Sequence, residues 1–138
     1  MTSCLIVERL PWETGGGAQV QLPLKLANQF FGRVGKTITV RVFMPRRAKA
    51  PCYQKDISIS NVYKNGTRRI NNFPELGSIG PSLLFFEQTG TPDVFDFWWE
   101  SGDMHAIAAR YNDWYLAPHS QHGRGRIALI VPRSVRNS

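Results

Sequence analysis

Residues 37–43 read TITVRVF, and this stretch has the clearest strand pattern in the chain. It alternates β-branched or apolar residues with polar ones, and its residue types favour strands. A period of two sends alternate side chains to opposite faces of a sheet. The same alternation returns in DISISNV at 56–62, after a basic loop, PRRAKAP, at 45–51. The sequence therefore predicts two strands joined by a basic loop, in a protein that is mainly β.

Further strands are predicted on both sides of this pair. Ser3–Leu10 and Val20–Leu22 are expected to form a hairpin around the glycine-rich loop at 13–17. Pro23 then opens a short helix, Leu24–Phe31, which Gly32 closes. Three more hydrophobic strands and one helix candidate are predicted at Leu83–Glu87, Val94–Trp99, Ile127–Val131 and Gly102–Asn112. About six to eight short strands with two short helices indicate a small barrel or a half-open barrel.

The expected core is made of large side chains from these strands. Its members are Phe43, Leu84, Phe86, Phe95, Phe97, Trp98 or Trp99, Ile127, Leu129 and Val131. Trp98 and Trp99 are neighbours in a strand, so they face opposite sides of the sheet. One of the two is therefore exposed, packed under a helix or available to a partner. Residues 133–138 are expected to be a frayed basic tail or the start of a connection.

Length and composition indicate an ordinary globular protein. A chain of 138 residues with 42% hydrophobic and 20% charged residues fits one domain spanning 1–138. No apolar run reaches the roughly 20 residues of a membrane helix, and the opening MTSCLIVERL has no basic region typical of a signal peptide. We therefore predict a cytoplasmic protein with reduced Cys4 and Cys52. Their spacing also allows a disulfide, which this compartment disfavours.

Charge is distributed unevenly along the chain, whose net charge is +7. Residues 33–69 contain ten Lys or Arg residues and a single acid, Asp56. Residues 70–113 contain seven acids and a single basic residue, Arg110. This polarity predicts one positive face, which is typical of proteins that bind phosphates.

The stretch NVYKNGTRRINN at 61–72 carries the strongest functional pattern. It combines three basic residues, four asparagines, one tyrosine and one threonine around Gly66, and it contains no acid. Arginine binds O6 and N7 of guanine, and asparagine binds N6 and N7 of adenine, in the major groove. A simple chain reversal needs only Asn65-Gly66. The pattern favours DNA reading, and a solvated basic hairpin is the structural alternative.

Other chemistries lack their required residues. Gly15-Gly16-Gly17 is not followed by the Gly-Lys-Ser/Thr ending of a phosphate loop. His119 and His122 have no cysteine pair at zinc-binding spacing. No lysine follows Lys64, so the carboxylate–lysine set of a nuclease is missing. We predict no catalysis, no metal and no cofactor in this domain.

Two longer segments resemble a known family of DNA-binding domains. VERLPWETGGGAQVQLPLKLANQFF at 7–31 and SNVYKNGTRRI at 60–70 occur in that order, followed by Gly77-Ser78 and SLLFFEQ. They are similar to the N-terminal effector-binding domain of EcoRII-type restriction endonucleases, over roughly residues 5–100. That family shares the fold of the plant B-three domains, a seven-stranded open pseudobarrel with two short helices. Two loops of the fold, the N-arm and the C-arm, grip the DNA major groove.

The resemblance implies positions for both arms, although the recognition arm here is shorter than in EcoRII. The N-arm spans Arg9–Gln21 and offers Arg9, Trp12, Glu13, Thr14, Gly15, Gly16, Gln19 and Gln21. The C-arm spans Asn61–Asn72 and offers Asn61, Tyr63, Lys64, Asn65, Thr67, Arg68, Arg69 and Asn71. Phosphate contacts are expected from Lys25, Lys36, Arg46, Arg47 and Lys49. The glycines allow close backbone approach, while Trp12 has an alternative role as a loop anchor and Glu13 as a solvated acid.

The resulting hypothesis is a monomeric module that binds double-stranded DNA and serves a restriction endonuclease. Cleavage would belong to a separate domain after Ser138, and the DNA site would be short, C/G-flanked and centred on an A/T pair. A single-strand or RNA-binding module is the first alternative, with Trp12, Tyr63, Trp114 or Tyr115 stacking on bases. A barrel that binds an acidic protein is the second.

Overall fold

The computed structural model describes residues 2–10, 20–64, 66–111 and 127–138. The protein is mainly β, with a curled half-barrel sheet and two short α-helices, which confirms the predicted fold class. The strands of these residues are β1 (Cys4–Arg9), β2 (Val20–Leu22), β3 (Lys36–Val42), β4 (Tyr53–Ile59), β5 (Arg68–Asn71), β6 (Ser82–Gln88), β7 (Val94–Glu100) and β8 (Ala128–Val131). The helices are α1 (Leu24–Phe31) and α2 (Met104–Ala108). Short 3-10 helices lie at Pro74–Ser78 and Ala109–Tyr111.

All eight strands belong to one sheet, in the order β2-β5-β4-β3-β7-β6-β1-β8. The β3–β7 pair is parallel, and the other neighbours are antiparallel. The predicted hairpin between β1 and β2 is wrong, because β1 lies between β6 and β8 and β2 pairs with β5. Residues 4–7 of β1 are buried on both faces, and such a strand is stable between two neighbours under two apolar layers.

The inner face of the sheet forms the main hydrophobic core together with α1. Every strand contributes to it, for example Ile38 of β3, Phe86 of β6 and Phe97 of β7. α1 presents Leu26, Ala27, Phe30 and Phe31 to this core. The helix starts after Pro23 and ends at Gly32, as predicted, because proline fits a first turn and Gly32 has a φ of +89°.

The outer face of the sheet is divided into two halves of opposite character. On β7, β6, β1 and β8 the outer side chains are mostly apolar and form a second cluster with Ile107, Ala108 and Tyr111 of the α2 region. We call this the apolar half. Trp98 belongs to it and is fully buried, whereas Trp99 packs on the inner core. The structure therefore has two hydrophobic clusters where the sequence predicted one core. Trp98 and Trp99 face opposite sides of the sheet, as expected.

On β2, β5, β4 and β3 the outer side chains are polar, and we call this surface the polar half. Its members are Gln21, Thr37, Thr39, Asp56, Ser58, Arg69 and Asn71. Each of them is exposed or half-buried, while the residues between them in sequence are in the core. Neither described helix packs here, since α1 lies on the inner face and α2 on the apolar half.

The expectation of a frayed tail at residues 133–138 is wrong. The carboxylate of Glu87 accepts hydrogen bonds from the Ser134 hydroxyl (3.0 Å) and the Arg136 amide (2.9 Å). The Arg136 guanidinium lies 3.9 Å from the centre of the Phe43 ring and donates to the carbonyls of Arg46 and Ala48. These contacts fix the segment along the border between the two halves.

Two further elements differ from the sequence predictions. β5 lies inside the stretch that was predicted wholly as an arm, because Ile70 completes the inner core and pairs with Ile59. α2 is shorter than the predicted 102–112 segment and starts at Met104, after the N-cap Asp103, whose side chain accepts a 3.1 Å hydrogen bond from the Ala106 amide. None of the helices in the described ranges is long and apolar enough to cross a membrane.

Candidate nucleic-acid interface

The C-arm projects from the polar half as a narrow two-stranded hairpin. The Ser60 amide donates to the Arg69 carbonyl (2.9 Å), and the Tyr63 amide donates to the Thr67 carbonyl (2.8 Å). The Gly66 amide closes the tip on the Tyr63 carbonyl at 2.9 Å. Gly66 has a φ of +79°, a conformation that glycine adopts without the strain a Cβ would bring. The chain therefore forms an ordered ribbon at 60–69 on either side of position 65, which lies outside the described residues.

Polar and aromatic side chains line this hairpin. Asn61, Tyr63 and Lys64 are exposed, as is the apolar Val62 between them. The Arg69 guanidinium lies over the Tyr63 ring, 4.3 Å from its centre. Stacking of this kind restricts a long side chain without removing its charge. Arg69 is thus held on the outer face, between the hairpin and the rest of the polar half.

Arg68 contradicts its predicted role in base reading. Its side chain is fully buried, because Arg68 points to the inner side of β5. Nε donates to the Ser60 carbonyl (2.8 Å), Nη1 to Asn28 Oδ1 (3.0 Å) and to the Gly32 carbonyl, and Nη2 to the Val34 carbonyl (3.1 Å). Burial lowers the pKa of Arg68 from its usual value. In this structure the guanidinium binds protein oxygens and lies away from any surface that DNA could reach.

Asn61 is also engaged within the protein. Its Oδ1 accepts a 2.7 Å hydrogen bond from the Gly35 amide, at the turn that leads into β3. A Cβ on Gly35 would lie 2.8 Å from the Asn61 nitrogen and 3.0 Å from the Ile59 carbonyl oxygen, so this turn needs glycine to approach the arm. Asn61 therefore attaches the first residue of the C-arm to the neighbouring turn.

The predicted N-arm is described at its two ends. Arg9 is fully buried at the end of β1, opposite Ser82, so its predicted DNA contact is wrong for this structure. Gln21 lies on the polar half, directly opposite Arg69. The predicted contacts Trp12, Glu13, Thr14, Gly15, Gly16 and Gln19 fall outside the described residues. The same holds for Asn65 of the C-arm and for Trp114, Tyr115, His119 and His122.

The register of β2 and β5 fixes where the arms join the sheet. Val20 lies opposite Ile70, and Leu22 lies opposite Arg68. The chain thus enters β2 near the Asn71 end of β5, whereas the hairpin tip precedes the Arg68 end. The two predicted arms are attached at opposite ends of the polar half.

The predicted phosphate contacts are not brought together. Lys25 is exposed on α1, which packs on the inner side of the sheet. Lys36 forms a 2.9 Å ion pair with Asp93, and Arg46 lies 3.9 Å from Glu100. Arg47 and Lys49 are exposed in the β3–β4 loop, where Arg47 donates to the main-chain oxygen of Ser138. Only Lys36 lies at the C-arm end of the sheet, opposite Ile59.

The charge polarity of the sequence is partly neutralised by the fold. Parallel pairing of β3 with β7 brings the basic stretch beside the acidic one, and Arg41 forms a 2.9 Å ion pair with Asp96. Lys55 likewise pairs with Glu75 at 2.7 Å. The prediction of one strongly positive face is therefore too simple. Exposed or half-exposed positive charge at the C-arm comes from Lys64, Arg69 and Arg33.

Sequence reasoning missed the small polar residues between the arms. Thr37 and Thr39 face outward from β3, and Ser58 faces outward from β4, where it lies opposite both Thr37 and Asn71. Asn72 donates a 3.1 Å hydrogen bond to the Ser58 hydroxyl. The signal was present in the alternation of TITV and DISIS, whose polar positions fall on one face. What the pattern lacked was the strand order, which places these positions side by side.

No protein-family model, curated protein or solved structure matches this chain. The similarity to EcoRII-type effector domains therefore stays a prediction from the motifs.

Proposed function

We propose that this chain is a sequence-specific binder of double-stranded DNA and that the polar half, with the C-arm hairpin, is its DNA-binding surface. The observation that carries this proposal is the contrast within the sheet. Half of the outer face is covered by an apolar cluster, while the other half displays hydroxyl, amide and guanidinium groups beside a projecting ribbon. The one carboxylate among the named members of the polar half, Asp56, accepts a 2.7 Å hydrogen bond from the Thr39 hydroxyl. Such groups bind base edges and phosphates.

The dimensions of the surface suit a duplex. Four strands spaced about 4.8 Å apart make the polar half roughly 15 Å wide. The C-arm is a two-stranded ribbon, and a major groove about 12 Å wide admits such a ribbon. In this arrangement the hairpin enters the groove and the sheet faces the adjoining backbone.

The described residues divide into two kinds of contact. Arg69, held on the Tyr63 ring, is the proposed base reader, because a stacked guanidinium keeps its planar donors in one orientation. Gln21, opposite Arg69, adds an amide donor and acceptor, and Asn71 adds its amide donor, since its Oδ1 is buried. Lys64 at the tip contacts phosphate and sets affinity for any sequence.

Stacking on single-stranded bases is less well supported. Tyr63 is the exposed aromatic residue of the hairpin, and the Arg69 guanidinium already lies over its ring. The ring is thus used inside the protein rather than offered as an open platform.

Together with the motif resemblance, this surface leads us to propose the effector or target-recognition module of a restriction endonuclease. The domain binds as a monomer, without catalysis of its own, and cleavage belongs to a nuclease domain in the same polypeptide. We place the protein in the cytoplasm, in line with its two free cysteines.

The decisive experiment is selection from randomised duplex DNA at physiological salt, followed by a salt titration of the selected sequence. We expect a short motif bound at least about a thousandfold more tightly than random duplex. Binding without enrichment, or better binding to single strands or RNA than to any duplex, would overturn the proposal.

Two matched charge variants locate the surface. Thr37→Glu adds a negative charge to the polar half, and Gln29→Glu adds the same charge to the exposed side of α1. We expect Thr37→Glu to weaken DNA binding at least about tenfold and Gln29→Glu to leave it nearly unchanged. Equal effects of the two variants would place the DNA elsewhere on the protein.

A further inference from the structure

We infer that Arg68 is a positioning residue, which sets the orientation of the C-arm from the C-terminus of α1. The part of this inference that concerns DNA preference rests on the proposed function. The part that concerns the geometry of the arm does not.

Arg68 joins two regions of the chain that are distant in sequence. Its guanidinium binds the Ser60 carbonyl at the base of the C-arm, and it also binds Asn28 and Gly32 at the end of α1. The guanidinium also binds the Val34 carbonyl, in the turn that leads from α1 to β3. One side chain on β5 thus joins the base of the C-arm to the 28–34 segment, which is distant from it in sequence and comprises the end of α1 and the turn that follows.

Burial of the Arg68 guanidinium costs free energy of desolvation. Arg68 is fully buried, and its four acceptors among the described residues are neutral oxygens. A buried cation without a carboxylate loses its hydration and is compensated by hydrogen bonds alone. An apolar residue at this inward position would extend the core at lower cost. Retaining a guanidinium here is explained by the geometry that its fixed donors impose.

The C-terminal end of α1 favours a nearby cation. α1 has no basic residue in its last turn, and its terminal carbonyls carry a partial negative charge. Arg68 supplies the missing cation from β5. The same guanidinium that satisfies the helix end therefore also fixes the Ser60 carbonyl, one residue before the arm begins.

A contact between Gly35 and Asn61 lies next to the acceptors of Arg68. The Gly35 amide binds Asn61 Oδ1 at 2.7 Å, directly beside the carbonyls that Arg68 holds. The Ser60 hydroxyl in turn accepts from the Arg69 amide at 2.8 Å. Arg69, the proposed base reader, is therefore placed by its neighbour Arg68 through Ser60.

The experiment compares Arg68→Lys with Leu129→Ala in the full chain. Lysine keeps the charge but lacks the planar donors needed to bind the Ser60 carbonyl and the 28–34 segment together, while Leu129 lies in the outer cluster of the apolar half. Hydrogen exchange of the Tyr63 and Arg69 amides reports order in the arm, and the affinity ratio of the selected duplex to random duplex reports reading. For Arg68→Lys we expect arm exchange at least about tenfold faster and a preference ratio at least about tenfold lower. For Leu129→Ala we expect a loss of global stability with an unchanged preference ratio.

A second variant covers the case in which Arg68→Lys does not fold. Asn28→Ala removes one acceptor of Arg68 from α1, on the opposite side of the sheet from the polar half. We expect about threefold changes in the same two measurements. Arm exchange and preference that match those of Leu129→Ala, in both Arg68→Lys and Asn28→Ala, would overturn the inference.

The two proposals fail in different ways. A wild-type protein without sequence preference would sink the proposed function, and the exchange measurements would still decide whether Arg68 orders the arm. A clear preference that survives in both variants, with an undisturbed arm, would overturn only the role of Arg68.

Discussion

The two halves of the outer sheet face have the same alternation of side chains but differ in polarity and burial. On β7, β6, β1 and β8 the outward positions hold residues such as Trp98, Phe85 and Leu129, and the α2 region covers them. On β3, β4, β5 and β2 the outward positions hold Thr, Ser, Asn, Gln, Arg and Asp residues, and neither α1 nor α2 packs over them. The inner core is shared by both halves. The difference indicates that the apolar half contributes stability, while the polar half displays polar side chains over which neither α1 nor α2 packs.

The largest expected effect tests whether the apolar half is a true second core. Trp98 is fully buried and stacks on Phe85, with ring centres 5.0 Å apart and an interplanar angle of 11°. Trp98→Ala should lower the free energy of unfolding by about 3–5 kcal/mol, because it leaves a large cavity. The value is measured by urea denaturation at equilibrium.

Ser58→Ala is the matched variant on the polar half. It should change the free energy of unfolding by no more than about 0.5 kcal/mol, as surface substitutions usually do. Similar losses for Trp98→Ala and Ser58→Ala would break the comparison between the two halves.

The next effect concerns DNA binding and separates the proposed role of Arg69, on the polar half, from that of Lys64, in the C-arm hairpin. Arg69→Ala should reduce the preference for the selected duplex over random duplex by about 1–3 kcal/mol, because it removes a base contact. Lys64→Ala should weaken all sequences alike and reduce the salt dependence of binding by about one ion. Both are measured by titration at several salt concentrations. If Arg69→Ala weakened specific and random binding equally, Arg69 would be a phosphate contact.

A smaller effect is expected within the C-arm. Gly66 has a φ of +79°, and nothing lies within 4 Å of the site of an added Cβ. Gly66→Ala should therefore destabilise the closed tip by about 1 kcal/mol through backbone strain alone. Faster hydrogen exchange of the Tyr63 amide, with little change in global unfolding, is the expected result.

Gly77 provides the control for this variant. It also has open space around an added Cβ, but its φ lies outside the left-handed region. Gly77→Ala should leave the exchange of the Tyr63 amide unchanged. Equal exchange rates in Gly66→Ala and Gly77→Ala would show that the tip does not depend on the conformation of Gly66.

The smallest perturbation is chemical labelling of the two cysteines in the wild-type protein, which requires no substitution. Cys4 faces the apolar half and is fully buried, and burial together with the nearby charge of Glu87 raises its pKa well above the usual range. Cys52 is exposed in the β3–β4 loop. A maleimide reagent at neutral pH should label Cys52 rapidly and Cys4 only after opening of the apolar half, because the thiolate is the reacting form. Equal labelling rates, measured by mass spectrometry, would contradict a closed cluster over β1.

Much of the secondary structure followed from periodicity. The strands of TITVRVF and SLLFFEQ, and the helix between Pro23 and Gly32, are where the sequence predicted them. Local rules suffice there, because alternation, proline and glycine act within a few residues. The pairing of β1 with β6 and β8 was not predictable in the same way, since partners about 80 and 120 residues away leave no local signal.

The DNA-binding role of the candidate site stays a prediction, and the structure shows only which of its predicted residues are exposed and which are buried. The C-arm, its glycine tip and Arg69 are on the surface where the motif placed them. Arg68 and Arg9 are buried instead, because strand pleating turns every second residue inward regardless of its charge. A shift of one residue separates the stacked Arg69 from the internal Arg68, and the motif RRI does not reveal where β5 begins.

Local sequence patterns were enough to predict a mainly β chain, the alternation of its strands and a polar, acid-free stretch at 61–72. These properties depend on neighbouring residues and on the period of two of a strand. The tertiary structure alone decided which half of the outer face is covered, which arginine faces outward and how the basic and acidic stretches neutralise each other. Those outcomes depend on strand order, and strand order is set by contacts between residues that are distant in sequence.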